Sequence, residues 1–227
     1  MLPKLNHRWD VSEQEAKRIQ LELSSLVREQ KLTSKPKIIA GVDISYNVGS
    51  NLLFAGVVIL STDDLSIIEK VVVAEESKFP YIPGLLSFRE TPPLIQAFSK
   101  IKYEPDIIFV DGQGIAHPRF FGIASHIGVI YDKPSIGVAK SILVGTPDRI
   151  PTKIGEFSYI RYKGRIIGAL LCSQEGREPI VVSIGHKITL EEAIELTKKA
   201  CLGYRIPEPT RLAHLVVNEA RRSSKVK

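Results

Sequence analysis

The stretch Ile107-Ile108-Phe109-Val110-Asp111-Gly112-Gln113-Gly114-Ile115-Ala116-His117-Pro118-Arg119 decides the fold. Its four successive apolar residues predict a strand buried on both faces, as in a parallel sheet. Asp111 would then lie at the carboxyl end of that strand, where open α/β sheets bind ligands. Gly112 and Gly114 would let the backbone turn and approach a substrate closely. An aspartate here can also serve only as a helix cap, so a second acid at a neighbouring strand end is needed to decide.

That second acid is Asp43, which ends the apolar stretch Lys37-Ile38-Ile39-Ala40-Gly41-Val42. Leu52–Leu60 and Ile67–Val73 follow, and together these segments predict an antiparallel meander. A meander followed by helix, strand, helix and strand, with acids ending the first and fourth strands, outlines the ribonuclease-H-like α/β architecture. In that mixed sheet, flanked by helices, the first and fourth strands are neighbours. Asp43 and Asp111 should therefore lie side by side.

The remaining elements are predicted from periodicity and capping residues. Helices are expected over residues 12–32, from Thr91 to about Tyr103, over His117–Ile130, from Thr189 onward and from Thr210 onward. Further strands are expected over residues 134–140, 157–162, 165–171 and 179–183. No internal repeat or linker interrupts the chain, so residues 1–227 are predicted to form a single domain. Residues 221–227 are expected to be a flexible basic tail.

Composition narrows the class of protein. A hydrophobic content of 44% and a charged content of 25% are typical of a soluble globular protein. The net charge of +6 favours a polyanionic partner. Cys172 and Cys201 have neither metal-ligand spacing nor a disulfide pattern, as expected in a reducing compartment. The longest apolar run, Leu52–Leu60, is too short to cross a bilayer, so we expect a cytoplasmic protein that does not contact the membrane.

Paired aspartates predict a metal site. Two carboxylates held close together repel each other, and a cation or a proton must offset that repulsion. Oxygen ligands favour Mg²⁺, with Mn²⁺ as a possible substitute. Glu90, expected just before a helix, can supply a third carboxylate. Such a site supports phosphodiester hydrolysis, because a bound metal ion lowers the pKa of the attacking water and stabilises the leaving oxygen.

Two more polar residues lie near these strand ends in the predicted fold. Lys140 follows the adjacent strand and could neutralise a phosphate or orient a water molecule. His117 could contact phosphate or move a proton. The segment Phe79-Pro80-Tyr81-Ile82-Pro83-Gly84, here called the proline loop, is stiff because of its two prolines. It is either an ordinary rigid connection or a wedge that pushes an aromatic ring between bases.

Five motifs in order resemble the endonuclease V family, the deoxyinosine-specific repair nucleases. They are the proline loop, Phe88-Arg89-Glu90, Asp111–Arg119, Gly137-Val138-Ala139-Lys140 and Arg205–His214. The resemblance extends from about His7 to His214. It implies Mg²⁺-dependent cleavage of the second phosphodiester bond on the 3′ side of a deaminated base, leaving 3′-hydroxyl and 5′-phosphate ends.

The resemblance also implies roles for individual residues. Asp43, Glu90 and Asp111 match the acidic, metal-binding triad. Tyr81 matches the strand-separating wedge, flanked by Pro80, Ile82 and Pro83. His117, Lys140 and His214 match the polar residues around the metal and the phosphate. Gly84, Leu85, Gly112 and Ile123 are candidates for the lesion pocket, and Arg89 and Arg119 for phosphate contacts.

The expected partner is DNA containing deoxyinosine or another deaminated base, bound by a monomer. An inosine-specific endoribonuclease is the alternative on the same scaffold, since some members of the family act on RNA. A nucleotide-binding protein of the actin and sugar-kinase type is the alternative from another class. Its first strand also ends in an aspartate, as Gly41-Val42-Asp43 does, but such proteins enclose ATP between two domains.

Overall fold

The computed structural model describes residues 1–224 of the chain. Over these residues the strands are β1 Ile38–Tyr46, β2 Leu52–Ser61, β3 Ile67–Glu76, β4 Ile107–Asp111, β5 Ser135–Ala139, β6 Thr146–Pro147, β7 Phe157–Tyr162, β8 Arg165–Leu171 and β9 Ile180–His186. The helices are α1 Glu13–Ser24, α2 Leu86–Lys100, α3 Ile123–Tyr131, α4 Leu190–Ala200 and α5 Glu208–Ser223. No helix in this part of the chain is long and apolar enough to cross a membrane.

All the described strands join one mixed sheet, in the order β3-β2-β1-β4-β5-β9-β8-β7-β6. The β1–β2–β3 meander is antiparallel, whereas β4 pairs in parallel with β1 on one side and β5 on the other. The predicted α/β fold, with a meander followed by parallel strands, is therefore confirmed. The carboxyl ends of β1, β4 and β5 meet at one edge of the sheet, which we call the active edge.

The sheet is covered by helices on both faces. Alternate residues of β4 point to opposite sides: Phe109 packs in the core that includes α4 residues, and Ile108 in the core beneath α2 and α3. Both side chains are almost fully buried, as the apolar run predicted. Helix α5 lies against β1 and β2, and α1 packs outside α3. The parallel strands therefore lie between two layers of helices.

Helix α2 begins at Leu86, five residues before the start predicted at Thr91. Pro92 and Pro93 lie inside the helix rather than in its first turn. Proline has no N–H, so Pro93 leaves the carbonyl of Arg89 without its usual partner. The hydroxyl of Ser77 donates a hydrogen bond to that carbonyl, at 3.2 Å. Glu90 therefore lies within α2 and not before it.

Helix α3 is shorter than predicted, beginning at Ile123 instead of His117. Phe120 has a left-handed backbone with φ of 53°, which a helix cannot accommodate. Helix α1 similarly ends at Ser24 instead of reaching residue 32. The predicted caps are present where they were expected: Ser12 accepts from the backbone N–H of Glu15 at the start of α1.

The last two helices confirm one capping prediction and correct two boundaries. Thr189 and Glu192 form a reciprocal capping box at the start of α4. Helix α5 begins at Glu208 instead of Thr210, with proline in its first turn. It also includes Arg221, whose guanidinium donates to Asn47 and Asn218. Residues 221–223 are therefore helical and not a flexible tail, while residues 225–227 of the predicted tail lie outside the described residues.

Candidate active site

The two predicted aspartates lie together at the active edge. Val42 of β1 is paired with Val110 of β4, so the residues that follow them, Asp43 and Asp111, are adjacent. One ligand atom each from Asp43, Asp111 and His214 lies within 4.8 Å of the others. The parallel pairing of β1 and β4 places the carboxylates, and α5 contributes the imidazole.

Two glycines allow α5 to approach the sheet closely enough to deliver His214. A Cβ atom at Gly41 of β1 would lie 1.9 Å from the carbonyl oxygen of Pro209, and one at Gly56 of β2 would lie 2.5 Å from Val217. No side chain fits at either position. The helix therefore rests directly on the strand backbone, and Nδ1 of His214 lies 2.7 Å from Oδ2 of Asp43.

Asn218 fixes the orientation of the His214 ring, and the sequence did not predict that role. Its Oδ1 accepts from the hydroxyl of Ser45 and from the guanidinium of Arg221, so its Nδ2 must be the donor. That Nδ2 lies 3.0 Å from Nε2 of His214. Nε2 is therefore an acceptor, and the protonated Nδ1 donates to Asp43. The only sequence signal was the spacing of four residues along one helix.

Glu90 reaches the same site from the opposite side of the sheet. Its side chain is buried in α2. Burial, followed by the charges of Asp43 and Asp111, raises the pKa of Glu90 to about 8. Glu90 is thus electrostatically coupled to both aspartates, although it lies outside the group whose ligand atoms are within 4.8 Å of one another.

Lys140 supplies a positive charge at the site. It follows β5, and its Nζ lies 2.6 Å from Oδ2 of Asp111. Burial, the largest single cause, would lower the pKa of Lys140, but the carboxylates of Asp111 and Asp43 together raise it above its usual value. Burial and the neighbouring Asp43 raise the pKa of Asp111. The paired carboxylates of Asp43 and Asp111, with Glu90 coupled to both, offer the oxygen donors that fit a hard divalent cation such as Mg²⁺ or Mn²⁺.

His117 lies away from this cluster, against the proline loop. Its Nε2 is 3.0 Å from the carbonyl oxygen of Gly84, and its Nδ1 accepts from the backbone N–H of Arg119. Burial is the main cause that lowers the pKa of His117 to about 4. Both ring nitrogens are therefore engaged within the protein, and His117 is not part of the Asp43, Asp111 and His214 group. A contact of His117 with phosphate stays a prediction.

A cavity of about 240 Å³ is lined by Gly112 and Ala139, the chain neighbours of Asp111 and Lys140, and we call it the Gly84 pocket. Its walls come from residues 81–84, the start of α2, residues 112–123 and residues 139–143. Gly84, Gly112 and Ile123 line it, as do Tyr81, Ile82 and Pro83 of the proline loop. Leu85 does not, because it is fully buried in the core, and Leu86 lines the cavity instead. Tyr81 and Pro80 of the proline loop are exposed to solvent.

The pocket also uses residues that the sequence did not single out. The side chain of Gln113 donates to the carbonyl of Ser141, at 2.9 Å. This hydrogen bond connects the turn that follows β4 with the segment after Lys140. Ser141, Ile142 and Leu143 form the outer wall. Their position depends on contacts between distant parts of the chain, and no local motif encodes those contacts.

The two arginines expected to contact phosphate are engaged within the protein. Arg89 is buried, and its guanidinium donates to the carbonyls of Phe79 and Ser50. It therefore supports the proline loop from beneath and is not available to DNA, which corrects the prediction. Arg119 is half-buried and donates to Gln20 and to the carbonyl of Gly84.

A ribonuclease-H-like sheet with clustered acids at the ends of β1 and β4 defines a nuclease of that fold class. The family model for Endonuclease V matches residues 21–215. The chain belongs to the Endonuclease V family and is a nuclease. This membership decides against the nucleotide-binding alternative of the actin and sugar-kinase type.

Individual relatives agree with the family assignment. The chain is 43% identical to an Endonuclease V of Nostoc over 91% of this chain and 94% of that protein. The crystal structure of the Streptomyces avermitilis Endonuclease V superimposes with a TM-score of 0.90 at 32% identity, covering 99% and 100% of the two chains. A Ciona intestinalis Endonuclease V variant, in complex with a 23mer DNA containing an inosine followed by a ribo-adenosine, superimposes with a TM-score of 0.83 at 26% identity, covering 96% and 100% of the two chains.

Proposed function

We propose that this protein is a repair endonuclease that recognises deaminated bases, chiefly deoxyinosine, in DNA. In this proposal it hydrolyses the second phosphodiester bond on the 3′ side of the lesion and leaves 3′-hydroxyl and 5′-phosphate ends. The observation that carries the proposal is the position of the Gly84 pocket beside the carboxylates. Gly112, which follows Asp111, and Ala139, which precedes Lys140, both line that cavity. The Ciona relative bound to inosine-containing DNA supports the same substrate class.

The carboxylates would hold Mg²⁺, with Mn²⁺ as a substitute. Asp43 and Asp111 are the primary candidates, with His214 or Glu90 completing the set. A bound cation would lower the pKa of the attacking water and stabilise the leaving oxygen. Lys140 orients Asp111 through its 2.6 Å contact and offers positive charge to the scissile phosphate. Asn218 and Asp43 hold the imidazole of His214 in one orientation.

The lesion would be recognised by base flipping. The pocket walls are largely glycine, aliphatic side chains and backbone groups, which suits a planar base read along its edge. Tyr81 is 61% exposed at the pocket mouth and is positioned to stack in the space that the base leaves. Arg89 fixes the backbone of the proline loop, so the tyrosine is presented on a rigid support.

All the residues proposed for the metal site and the pocket come from one chain, which supports action as a monomer. Cys172 and Cys201 are free thiols, which is consistent with action in the cytoplasm. Inosine in RNA remains the second candidate substrate, because the DNA bound to the Ciona relative carries a ribonucleotide directly after the inosine.

The test is cleavage of four oligonucleotide duplexes of identical sequence. Two are DNA and two are RNA, and one of each pair carries a single inosine. Each is incubated with the protein in Mg²⁺ and in EDTA, and the cut is mapped on both strands. We expect one cut in the inosine DNA, at the second phosphodiester on the 3′ side, and none in EDTA. Cleavage of undamaged DNA at an equal rate would contradict the proposal, and cleavage of inosine RNA alone would establish the alternative.

A further inference from the structure

The carbonyl oxygen of Gly84 has an unusual number of hydrogen-bond donors. Nε2 of Gln20 lies 3.1 Å from it, Nε2 of His117 lies 3.0 Å from it, and Nη2 of Arg119 lies 2.6 Å from it. A carbonyl oxygen has two lone pairs, so three donors exceed its usual complement. Gly84 ends the proline loop that carries Tyr81, and the donors therefore hold one end of that loop.

Gln20 is the member of this group that reaches furthest along the chain. It lies in α1, is 1% exposed, and lines the Gly84 pocket. Its Nε2 also lies 3.2 Å from the carbonyl of Phe121, and its Oε1 accepts from Nε of Arg119 at 2.5 Å. The side chain thus connects the proline loop with residues 117–121, and both segments contribute to the lining of the pocket, through residues 81–84 and through His117. Burying an amide is unfavourable unless it is hydrogen-bonded, and Gln20 uses both ends of its amide.

The glycine at position 84 fits this arrangement. Its φ of +79° lies in the left-handed region, which favours glycine. A Cβ atom there would lie 3.0 Å from Nη2 of Arg119 and 3.7 Å from Nε2 of His117. The Arg119 guanidinium therefore lies tightly against the space that a side chain would need, and the loop backbone lies close to both donors.

We propose that Gln20, together with Arg119 and His117, is a clamp that sets the separation of the two pocket walls and thereby the affinity for the flipped base. Gln20 touches neither the carboxylates nor Lys140, so it is a positioning residue. The inference rests on the proposed function, because it assumes that the Gly84 pocket receives the lesion. It adds a residue of α1, outside every motif of the site, to the determinants of lesion recognition.

Gln20→Met tests the clamp, because methionine has similar length and volume but cannot make these hydrogen bonds. We expect the Kd for inosine DNA, measured in Ca²⁺, to rise about ten-fold or more, since several hydrogen bonds that orient the walls are lost. The single-turnover rate at saturating enzyme and the affinity for Mn²⁺ should remain within about two-fold. Gln14→Met, at an exposed position of the same helix, is the matched control and should bind inosine DNA as the wild type does.

A double variant adds a readout that a merely structural role would not change. Gln20→Met and Arg119→Met should have non-additive effects on the Kd for inosine DNA, because each variant disrupts the same clamp. If Gln20→Met does not fold, Arg119→Lys tests the clamp in its place and should likewise raise the Kd for inosine DNA. Lysine cannot bridge Gln20 and Gly84 as the planar guanidinium does. A lower melting temperature with an unchanged Kd in the folded variant would overturn the clamp.

The clamp and the proposed function fail in different ways. If the wild-type protein binds inosine DNA no better than undamaged DNA, the proposed function fails. If the wild type discriminates, and Gln20→Met and Arg119→Lys discriminate equally well, only the clamp fails.

Discussion

The Nδ1 atom of His214 donates to Oδ2 of Asp43 across 2.7 Å, and this contact joins the last helix to the first strand. The side-chain hydrogen bond to Asp43 raises the pKa of His214. The two residues are 171 positions apart in the chain. They meet because Gly41 and Gly56 leave room for α5 on the sheet. The candidate metal site is thus assembled by backbone packing as well as by its charged residues.

Asn218 should affect metal binding and cleavage because it orients the ring of His214. Asn218→Leu removes the donor to Nε2 of His214, so the imidazole can rotate away from the carboxylates. We expect Mn²⁺ affinity and the cleavage rate to fall roughly 10–100-fold, as is typical when a supporting partner of a ligand is lost. Titration of Mn²⁺ and a single-turnover assay measure both. Glu219→Gln, an exposed change on the same helix, is the control, and equal values for both variants would contradict the role.

Tyr81 should contribute to binding more than to chemistry. Tyr81→Ala removes the exposed ring at the mouth of the Gly84 pocket, and base–aromatic stacking contributes about 1–3 kcal/mol per base. The Kd for inosine DNA in Ca²⁺ should therefore rise roughly 5–150-fold, while the rate at saturating enzyme changes little. Gel shifts measure the affinity. Tyr103→Ala removes another exposed tyrosine and should leave the Kd unchanged, and similar losses in both variants would refute the wedge.

Arg89 should stabilise the fold and not bind phosphate. Arg89→Leu leaves the buried carbonyl of Phe79 without its 2.8 Å donor and that of Ser50 without its 2.9 Å donor. Each such loss costs about 1–3 kcal/mol, so the free energy of unfolding in urea should fall by a few kcal/mol. The slope of log Kd against log salt for DNA should stay the same, because no phosphate contact is removed. A shallower slope with wild-type stability would restore the phosphate role.

The N-terminal segment should make stability depend on pH through His126. This ring is fully buried, and Nε2 of His7 lies 2.7 Å from its Nε2. Burial lowers the pKa of His126 well below its usual value. The unfolded chain takes up this proton near pH 6.5 but the folded protein does not, so stability is lost as the pH falls below about 6.5. The loss is about 1.4 kcal/mol per pH unit for one proton.

His126→Phe isolates that contribution. Phenylalanine replaces a ring that already packs against Phe88 and Phe121, and it takes up no proton. Glu90 affects the pH dependence of stability in the opposite direction, because its raised pKa of about 8 favours the folded state as the pH falls. Since Glu90 is present in both the wild type and the variant, its contribution cancels when the two proteins are compared. We expect the free energy of unfolding, measured between pH 7.5 and 5.5, to fall less steeply in the variant. Parallel curves for the two proteins would show that His126 does not titrate in this range.

Much of the fold follows from local patterns. The apolar run of β4 predicted a strand buried on both faces. The acids at the ends of β1 and β4 were predicted to be close together, because neighbouring parallel strands end at the same edge of a sheet. The helix boundaries were less predictable. Thr91 and the prolines after it resemble a helix start, but Ser77 satisfies the carbonyl that Pro93 leaves free, so α2 begins earlier.

Side-chain contacts between distant segments were not predictable. The motif around His117 gave no sign that the chain turns after Gly114 and directs the histidine toward Gly84. Gln20 lies outside every motif, and its role depends on a fold that brings α1 against the proline loop. The charge pattern and periodicity of the sequence indicate which residues are neighbours within one helix or strand. They do not indicate which residue from a distant segment becomes a hydrogen-bond partner.

The central claim is that Asp43 and Asp111 hold the cation that cleaves inosine DNA. The most direct measurement is single-turnover cleavage of a labelled inosine duplex in Mg²⁺ by wild type, Asp43→Asn and Asp111→Asn, with binding of the same duplex measured in parallel. We expect both variants to bind the duplex and to cleave it at least 1,000-fold more slowly (roughly 4 kcal/mol in barrier), because each has lost a carboxylate of the metal site. Cleavage at the wild-type rate by either variant would contradict the account.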